Sequence, residues 1–292
     1  WSVDLSSNGN IVAAGAPFED TSGGIESGSV FVYEYNGSNW LLLGQEIEGE
    51  AAGDNSGSSV SISSDGTIVA IGAPDNAAAG TKSGHVRLWQ YNGSNWLQLG
   101  SDINGESAGD ESGSSVSISA DGSIVAIGAY LANEAGLGNS GHVRVYQYDG
   151  ANWNKIGQDI FGNAASNDHF GYSVSLSNDG SILAAGARLS DANNNTDSGF
   201  VGVYQYDGVN WIQLGSDIYG EGVSDKSGHS VSLSSNGTIV AIGAPDNDGG
   251  GSNAGHVRVW EYSSSSTTLY RVNAGGPNVA AIDGGIDWEP DT

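Results

Sequence analysis

The chain has 292 residues, among them 47 Gly, 8 Lys and Arg and 34 Asp and Glu, and its formal net charge at pH 7 is −26. This balance excludes nucleic acid as a partner, since phosphate binding needs clustered Lys and Arg, and the absence of a long apolar run excludes direct membrane insertion. The chain contains no Cys, which excludes disulfides, thiolate metal sites and thiol catalysis.

A segment of about 57 residues recurs five times along the chain. Its clearest marker is a Gly-Ala pair, with successive steps of 57, 56, 58 and 57 residues. These pairs begin at Gly15, Gly72, Gly128, Gly186 and Gly243. An Asn-Trp pair recurs at the same period and ends at Trp40, Trp96, Trp153 and Trp211. One supersecondary unit is therefore used five times, up to Tyr262.

Each unit opens with a predicted hairpin. In the second unit, residues 60–63 (VSIS) alternate apolar and polar, as in a half-buried strand, and Asp65-Gly66 follows. The equivalent pairs are Asn8-Gly9, Asp121-Gly122, Asp179-Gly180 and Asn236-Gly237. Such pairs are typical of two-residue type I′ turns, in which both central residues have positive φ.

Three further strands are predicted after this turn. Residues 68–73 (IVAIGA) are almost all apolar, which indicates an inner strand buried on both faces. Residues 85–91 form the third strand, and residues 95–100 form the fourth after a turn at Asn92-Gly93. Four antiparallel strands repeated five times predict an all-β fold, a β-propeller of four-stranded blades. The Gly-Ala pair is expected where neighbouring sheets approach closely.

At this point a family resemblance appears. Residues 170–187 (FGYSVSLSNDGSILAAGA) and 199–206 (GFVGVYQY) resemble the FG-GAP repeat of integrin α-subunit propellers. The resemblance implies a secreted or surface-displayed propeller, usually of seven blades. With five repeats in the sequence, the prediction is either a five-bladed ring or an excerpt of a seven-bladed one. The predicted repeats span about 3–59, 60–115, 116–173, 174–230 and 231–262.

The C-terminal part differs from the repeats. Residues 263–269 are rich in Ser and Thr and are predicted to form a linker. Residues 270–292 are similar to the opening strand of malectin-like carbohydrate-binding domains, through the phrase NAGG…D…W. The alternative is a tail that closes the propeller. Because the fifth repeat lacks Asn-Trp, its fourth strand is expected at residues 267–273.

Two sets of acidic and amide side chains are candidate Ca²⁺ ligands. One set stands six residues before the Val of each first strand and comprises Asp54, Asp110, Asp168 and Asp225. The other lies in the loop 191–199 (DANNNTDSG) and comprises Asp191, Asn193, Asn195 and Asp197. Oxygen ligands on Gly-rich loops suit Ca²⁺. The alternative role is capping of backbone N–H groups in turns.

Aromatic residues supply the candidate ligand-binding positions. Trp40, Trp96, Trp153 and Trp211 start the fourth strands, where an indole ring could stack on a sugar or pack between blades. Phe18, Tyr130 and Arg188 occupy the variable loops that follow Gly-Ala, where propellers place recognition. His85, His142 and His256 share one repeat position and are read as structural. His169 and His229 have no predicted role.

These features favour a recognition or adhesion module, secreted or at the cell surface, that binds a glycan or an extracellular protein with Ca²⁺ as an expected cofactor. The alternative is a structural subunit of an extracellular filament or matrix that assembles with its own copies. A polysaccharide-degrading enzyme is least favoured, because no catalytic motif is present. The sequence therefore predicts that the chain is not an enzyme.

Overall fold

The computed structural model describes residues 1–133, 136–162, 165–191, 195–263 and 266–272. Across these residues the chain forms β-strands joined by turns, without helices. Within the same residues, no helix of the length and apolarity required to cross a bilayer is present. The strands form five antiparallel sheets that follow one another in chain order, one for each repeat unit.

The strands of the five sheets have the following bounds. The first sheet contains β1 (Ser2–Leu5), β2 (Ile11–Ala16), β3 (Ser29–Tyr35), β4 (Trp40–Leu42) and β5 (Ile47–Glu48). The second contains β6 (Ser59–Ile62), β7 (Ile68–Ala73), β8 (His85–Tyr91), β9 (Trp96–Gln98) and β10 (Ile103–Asn104). The third contains β11 (Ser115–Ile118), β12 (Ile124–Ala129), β13 (His142–Tyr148) and β14 (Trp153–Lys155). The fourth contains β15 (Phe170–Leu176), β16 (Ile182–Ala187), β17 (Phe200–Tyr206), β18 (Trp211–Gln213) and β19 (Ile218–Tyr219). The fifth contains β20 (Ser230–Leu233), β21 (Ile239–Ala244), β22 (His256–Ser263) and β23 (Ser266–Val272).

Each sheet is a four-stranded antiparallel meander, as the sequence predicts. In the second unit the order is β6, β7, β8 and β9, and β8 pairs with β9 through its C-terminal half. The N-terminal end of β8 pairs instead with the short strand β10, which places Ile103 opposite Val86. This short fifth strand is absent from the prediction, because two residues carry no detectable pattern.

The predicted two-residue type I′ turns are wrong. Asp65 and its equivalents have ordinary negative φ, and only the glycine is left-handed, with φ of 77° at Gly66. The turn is longer: Gly66 N–H donates to Ser63 O at 2.9 Å, and Ser63 N–H donates to Ile68 O at 2.8 Å. The Asp65 carboxylate accepts the Thr67 N–H at 2.9 Å, so the acidic residue stabilises the turn through its side chain.

Neighbouring sheets meet closely at the Gly-Ala pairs. A Cβ on Gly72 would overlap the carbonyl oxygen of Gly113 and lie 2.9 Å from its carbon. The same oxygen accepts a hydrogen bond from Ser59 Oγ at 2.7 Å, and the contact recurs between each pair of successive units. This is the close approach that the Gly-Ala pair predicts, since any side chain there would push the sheets apart.

The first hairpins of the five units face one opening. Backbone hydrogen bonds link successive first hairpins, from Ser7 N–H to Ser64 O at 3.0 Å through Ala120 and Asn178 to Ser235. Residues of all five units line an opening with an empty volume of about 840 Å³. The core lies between adjacent sheets, where Val32 of one unit packs in a cluster with Val69 and Trp96 of the next. The arrangement is all-β and consistent with a propeller-like fold.

The predicted linker at 263–269 is corrected by the structure. Residues 266–272 form β23, which pairs with β22 and supplies the fourth strand of the fifth sheet. Strand pairing satisfies the backbone hydrogen-bonding groups of this polar segment, which explains why its composition alone misleads. Thr267 stands opposite Tyr262, as Trp96 stands opposite Tyr91. The malectin-like resemblance lies mostly in residues 273–292, outside the described residues.

Candidate ligand-binding site at one end of the central opening

The first strands run from one end of the central opening to the other. At the end where they begin, an open depression is lined by Ser2 of the first unit and by the tripeptides x-Ser-Val of the other four units. Every unit contributes at least one serine, and the position before Ser-Val adds Tyr172 and His229. This end therefore combines hydroxyl groups from several units with an aromatic ring and an imidazole ring.

Tyr130, His169, Tyr172, Arg188 and His229 converge beside this end and are called the aromatic–arginine cluster below. The Tyr130 ring packs edge-on against Tyr172, with ring centroids 5.4 Å apart, and against His169 at 5.1 Å. Tyr172 also contacts His229, with centroids 5.2 Å apart. The cluster draws on three units, because Tyr130 follows β12, Tyr172 and Arg188 belong to the fourth unit, and His229 precedes β20.

Arg188 is the cation of the cluster. Its guanidinium carbon lies 3.7 Å from the centroid of the Tyr172 ring, which is a close cation–π contact. Arg188 Nε is buried and has no hydrogen-bond partner among the described residues, and the same holds for His169 Nδ1. Both atoms are donors or acceptors that a bound polar group could satisfy.

Burial sets the protonation states in the cluster. Desolvation, followed by the nearby Arg188 charge, lowers the pKa values of His169 and His229, so both imidazoles are neutral at pH 7. Desolvation and a 2.8 Å hydrogen bond to Glu111 raise the pKa of Tyr130, so its hydroxyl stays protonated. Arg188 therefore brings a positive charge to a group of neutral rings, and the Glu111 carboxylate bonded to the Tyr130 hydroxyl brings a negative charge to the same cluster.

The sequence identified only part of this cluster. Tyr130 and Arg188 were predicted as loop recognition residues, and the structure brings both against Tyr172. Phe18 lies elsewhere in the structure, 57% exposed and packed edge-on against Trp1 at 5.3 Å. Tyr172, His169 and His229 were missed. A usable signal for two of them is the position before Ser-Val, which is Trp1, Ser58, Ser114, Tyr172 and His229 in successive units.

A family comparison matches the part of the chain that holds most of this cluster. The sequence model of the FG-GAP repeat matches residues 160–204. The matched segment is similar to an FG-GAP repeat. It includes His169, Tyr172 and Arg188 and the strands β15 and β16. The aromatic–arginine cluster is therefore built largely on the FG-GAP repeat, with Tyr130 and His229 added by the units on either side.

A solved structure gives a second comparison. The chain is similar to a "putative 6-phosphogluconolactonase" from Bacteroides uniformis, with a TM-score of 0.53 and 14% sequence identity. The similarity covers 93% of this chain and 83% of the other. At this identity the likeness shows the fold alone. No curated protein matches the sequence.

The expectation that the chain is not an enzyme is corrected by this comparison. A protein described as an enzyme has the same overall fold, so the fold does not exclude catalysis. The argument from sequence rested on the absence of a catalytic motif, whereas the structure gathers Tyr130, His169, Tyr172 and His229 in one cluster that no short motif would indicate.

The outer Trp of the fourth unit, Trp211, is a packing residue. Trp211 is 2% exposed, and its Nε1–H donates to Ile156 O of the preceding unit at 3.1 Å. Trp96 and Trp153 make the same bond to Leu43 O and Leu99 O. The expected sugar platform is therefore wrong for Trp96 and Trp211, because the gap between sheets encloses their rings. Trp153 is half-buried, and stacking on a sugar stays a prediction for it. Trp40, in the first unit, is 46% exposed.

The four repeated Asp residues are buried in turns of their own loops. Asp168, in the FG-GAP repeat, is 2% exposed and accepts the Ala165 N–H at 3.2 Å. Asp54 and Asp110 accept N–H groups in the same way, and Asp225 accepts two. The groups around these carboxylates are N–H donors rather than further oxygen ligands. They therefore favour the turn-capping role and do not fit a Ca²⁺ site.

In the loop at 191–199, too, a candidate ligand accepts a backbone N–H of its own loop. Asp191 Oδ1 accepts the Asp197 N–H at 3.0 Å, which closes the loop on itself. Ser198 N–H donates to the Asn195 carbonyl at 3.3 Å. Asn193 lies outside the described residues. Ca²⁺ at this loop stays a prediction.

Asp168 leads to a prediction about pH. Burial raises its pKa from 3.8 to about 6, so the folded state favours the protonated acid. The contribution of protonated Asp168 to the free energy of unfolding is complete below pH 4 and is lost as the pH rises through 6. Asp168→Asn is therefore expected to raise the free energy of unfolding at pH 7 by about 1–2 kcal/mol, with little gain at pH 4. Urea unfolding at both pH values measures this.

Asp207→Asn is the matched control for that experiment. Backbone N–H groups of Asn210 and Val209 lower the pKa of Asp207, so its replacement is expected to reduce stability at pH 7 rather than increase it. An Asp168→Asn variant less stable than the parent at pH 7 would contradict the assignment of a desolvated acid.

The repeated His residues begin the third strands of their sheets, at His85, His142 and His256. His85 and His142 are buried, and the Arg two residues later binds loop carboxylates. Arg144 Nη2 lies 2.7 Å from Glu106 and 2.8 Å from Asp159. His85 Nδ1 has no hydrogen-bond partner among the described residues.

Proposed function

We propose that the five units are blades of a β-propeller and that the chain is an extracellular recognition module for an acidic glycan, bound at the aromatic–arginine cluster. The observation that carries the proposal is Arg188 stacked on Tyr172 beside a hydroxyl-lined opening. Aromatic rings stack on the apolar faces of sugars, and a guanidinium binds a carboxylate through paired hydrogen bonds. The extracellular location rests on the resemblance to surface-displayed propellers.

The chemistry of the cluster favours an acidic glycan over a neutral one. A hydrogen bond to a charged group contributes about 1.5–3 kcal/mol, which corresponds to at least a tenfold difference in affinity. The neutral His169 and His229 side chains can bond sugar hydroxyls without adding charge. The serine hydroxyls of the rim extend the polar surface over several sugar rings.

Binding is tested by calorimetry with oligosaccharides of uronic acids and with neutral oligosaccharides of equal length. We expect binding of the acidic series, at least tenfold weaker binding to Arg188→Gln, and weakening as salt is increased. Trp40→Ala, which removes an exposed ring from the outer edge of the first sheet, is expected to bind as the parent does. Equal affinity of the parent and Arg188→Gln, or binding only to an extracellular protein, would contradict the proposal.

A catalytic role at the same cluster is the second candidate, and the convergence of Tyr130, two His and Arg188 favours it. Elimination from a uronic acid needs a cation at the carboxylate, a base at the adjacent carbon and an acid at the leaving oxygen. Arg188, a neutral imidazole and the Tyr130 hydroxyl provide these three groups. The oligosaccharide incubations are therefore also followed by ultraviolet absorbance of an unsaturated product. Binding without absorbance would exclude this reaction.

The structural-subunit alternative rests on a different surface. Val3, Leu5 and Leu41 of the first sheet are 72%, 54% and 53% exposed. Edge-to-edge association of copies would cover these apolar side chains. Sedimentation of the purified chain distinguishes the two functions, because a concentration-independent monomer contradicts self-assembly and leaves glycan binding intact.

A further inference from the structure

A second cluster lies away from the aromatic–arginine cluster, where the first and second units meet. Glu50 follows β5 in the segment between these units, His85 begins β8, and Asp102 directly precedes β10. Because β8 pairs with β10, with His85 opposite Asn104, the sheet itself brings Asp102 towards His85. One ligand atom of each of the three residues lies within 4.8 Å of the other two. Among the described residues this is the only such group of three.

His85 gives the second, independent observation. Its side chain is 1% exposed, and Nδ1 is buried without a hydrogen-bond partner among the described residues. A buried imidazole nitrogen left unpaired costs about 1–3 kcal/mol, and such atoms in native proteins point to a bound water or ion. A nitrogen of the same imidazole lies within 4.8 Å of an oxygen of each of two carboxylates, and these charges attract a cation rather than an anion.

Charge distinguishes this cluster from its counterpart in the third unit. There, Arg144 contacts both Glu106 and Asp159, so one cation already joins the two carboxylates. In the second unit, Arg87 Nη1 lies 3.2 Å from Glu50 and its Nη2 donates to the Glu48 carbonyl at 2.7 Å. Asp102 accepts only a neutral donor, Gln98 Nε2 at 2.6 Å. The second unit therefore keeps an uncompensated carboxylate next to the imidazole.

We propose that Glu50, His85 and Asp102 bind a divalent transition-metal ion of the zinc type. An imidazole nitrogen with two carboxylate oxygens suits Zn²⁺ and Co²⁺, and three protein ligands leave a fourth position for water. Ligand atoms around such an ion lie about 3.4 Å apart, as tetrahedral bonds of about 2.1 Å require. The Glu50 side chain is 43% exposed and can move to close this distance. The ion would join the first unit to the second.

The test uses the full chain, freed of metal by a chelator and titrated with Co²⁺ and Zn²⁺. We expect one equivalent of Co²⁺ to bind with the visible absorption of a four-coordinate ion, and Zn²⁺ to displace it and raise the melting temperature. Asp102→Asn and Glu50→Gln are each expected to weaken Co²⁺ binding at least tenfold. These variants are preferred to replacement of His85, because a buried His change can prevent folding.

Glu106→Gln in the third unit is the matched control, since it removes the equivalent carboxylate from a cluster already joined by Arg144. It is expected to leave the stoichiometry and absorption unchanged. Absence of saturable Co²⁺ binding would overturn the site. So would binding that Asp102→Asn and Glu50→Gln leave unaltered, because the ion would then lie elsewhere on this acidic surface. Neither result bears on glycan binding at Arg188.

Discussion

Gly72→Ala is expected to lower the free energy of unfolding by about 4 kcal/mol or more, enough to leave much of the chain unfolded at 25 °C. The added Cβ would overlap the Gly113 carbonyl oxygen of the next unit and also meet Ser59 Oγ. The clash is with the backbone of the turn that leads into β11, so the third unit as a whole would have to move. Urea unfolding followed by tryptophan fluorescence measures the loss.

Gly243→Ala is the matched control for this prediction. It occupies the same repeat position, but the nearest atom to an added Cβ is Ser230 Oγ, and the next lies 3.7 Å away. A hydroxyl group can rotate aside, so we expect a loss of about 1 kcal/mol or less. Equal losses in the two variants would show that the Gly-Ala pair serves the strand itself rather than the contact between units.

Trp96→Ala is expected to cost about 3–5 kcal/mol of unfolding free energy. The Trp96 side chain is 1% exposed and fills the gap between the first and second sheets. Its Nε1–H donates to Leu43 O at 2.7 Å, and its backbone is held on both sides by the Gln45 amide. Truncation therefore leaves both a cavity and an unpaired carbonyl. Calorimetry and urea unfolding measure the effect.

Trp40→Ala isolates the contribution of the contact between units. Trp40 packs on Tyr35 with ring centroids 5.3 Å apart, as Trp96 packs on Tyr91. Trp40 is nevertheless 46% exposed, so it lacks the enclosing neighbour that Trp96 has. We expect its replacement to cost about 1 kcal/mol or less. Similar losses for the two variants would mean that the Tyr–Trp pair within a unit, and not the neighbouring sheet, carries the stability.

Much of the fold could be predicted because the same local pattern recurs five times in the sequence. Alternation at residues 60–63, the apolar run at residues 68–73 and the Gly-Ala pair each specify a strand or a contact by short-range chemistry. The turn type was predicted wrongly because Asp65-Gly66 suits two turn geometries. The Asp65 side chain, which bonds the Thr67 N–H, decides between them.

The candidate site was harder to predict, since it is assembled from residues that break the repeat. Tyr172 and His229 stand about one repeat apart in sequence, and only the packing of the fourth unit against the fifth puts their rings 5.2 Å apart. The outer Trp residues were predicted as candidate ligand-binding positions because they recur, but recurrence in this chain indicates packing between units. Non-repeated residues at a repeated position are the better guide to a site in such a chain.

The central claim is that the first hairpins of the five units curve around one opening, and a distance between spin labels tests it most directly. The chain contains no Cys, so single cysteines at the exposed positions Ser7 and Ser235 can be labelled without interference. Backbone hydrogen bonds join the successive hairpins between these two positions, which sets each step at about 5 Å. Hairpins that curve around the opening place the two backbone positions about 12 Å apart or less, whereas four such steps in a straight row place them about 20 Å apart, and that result would contradict the account.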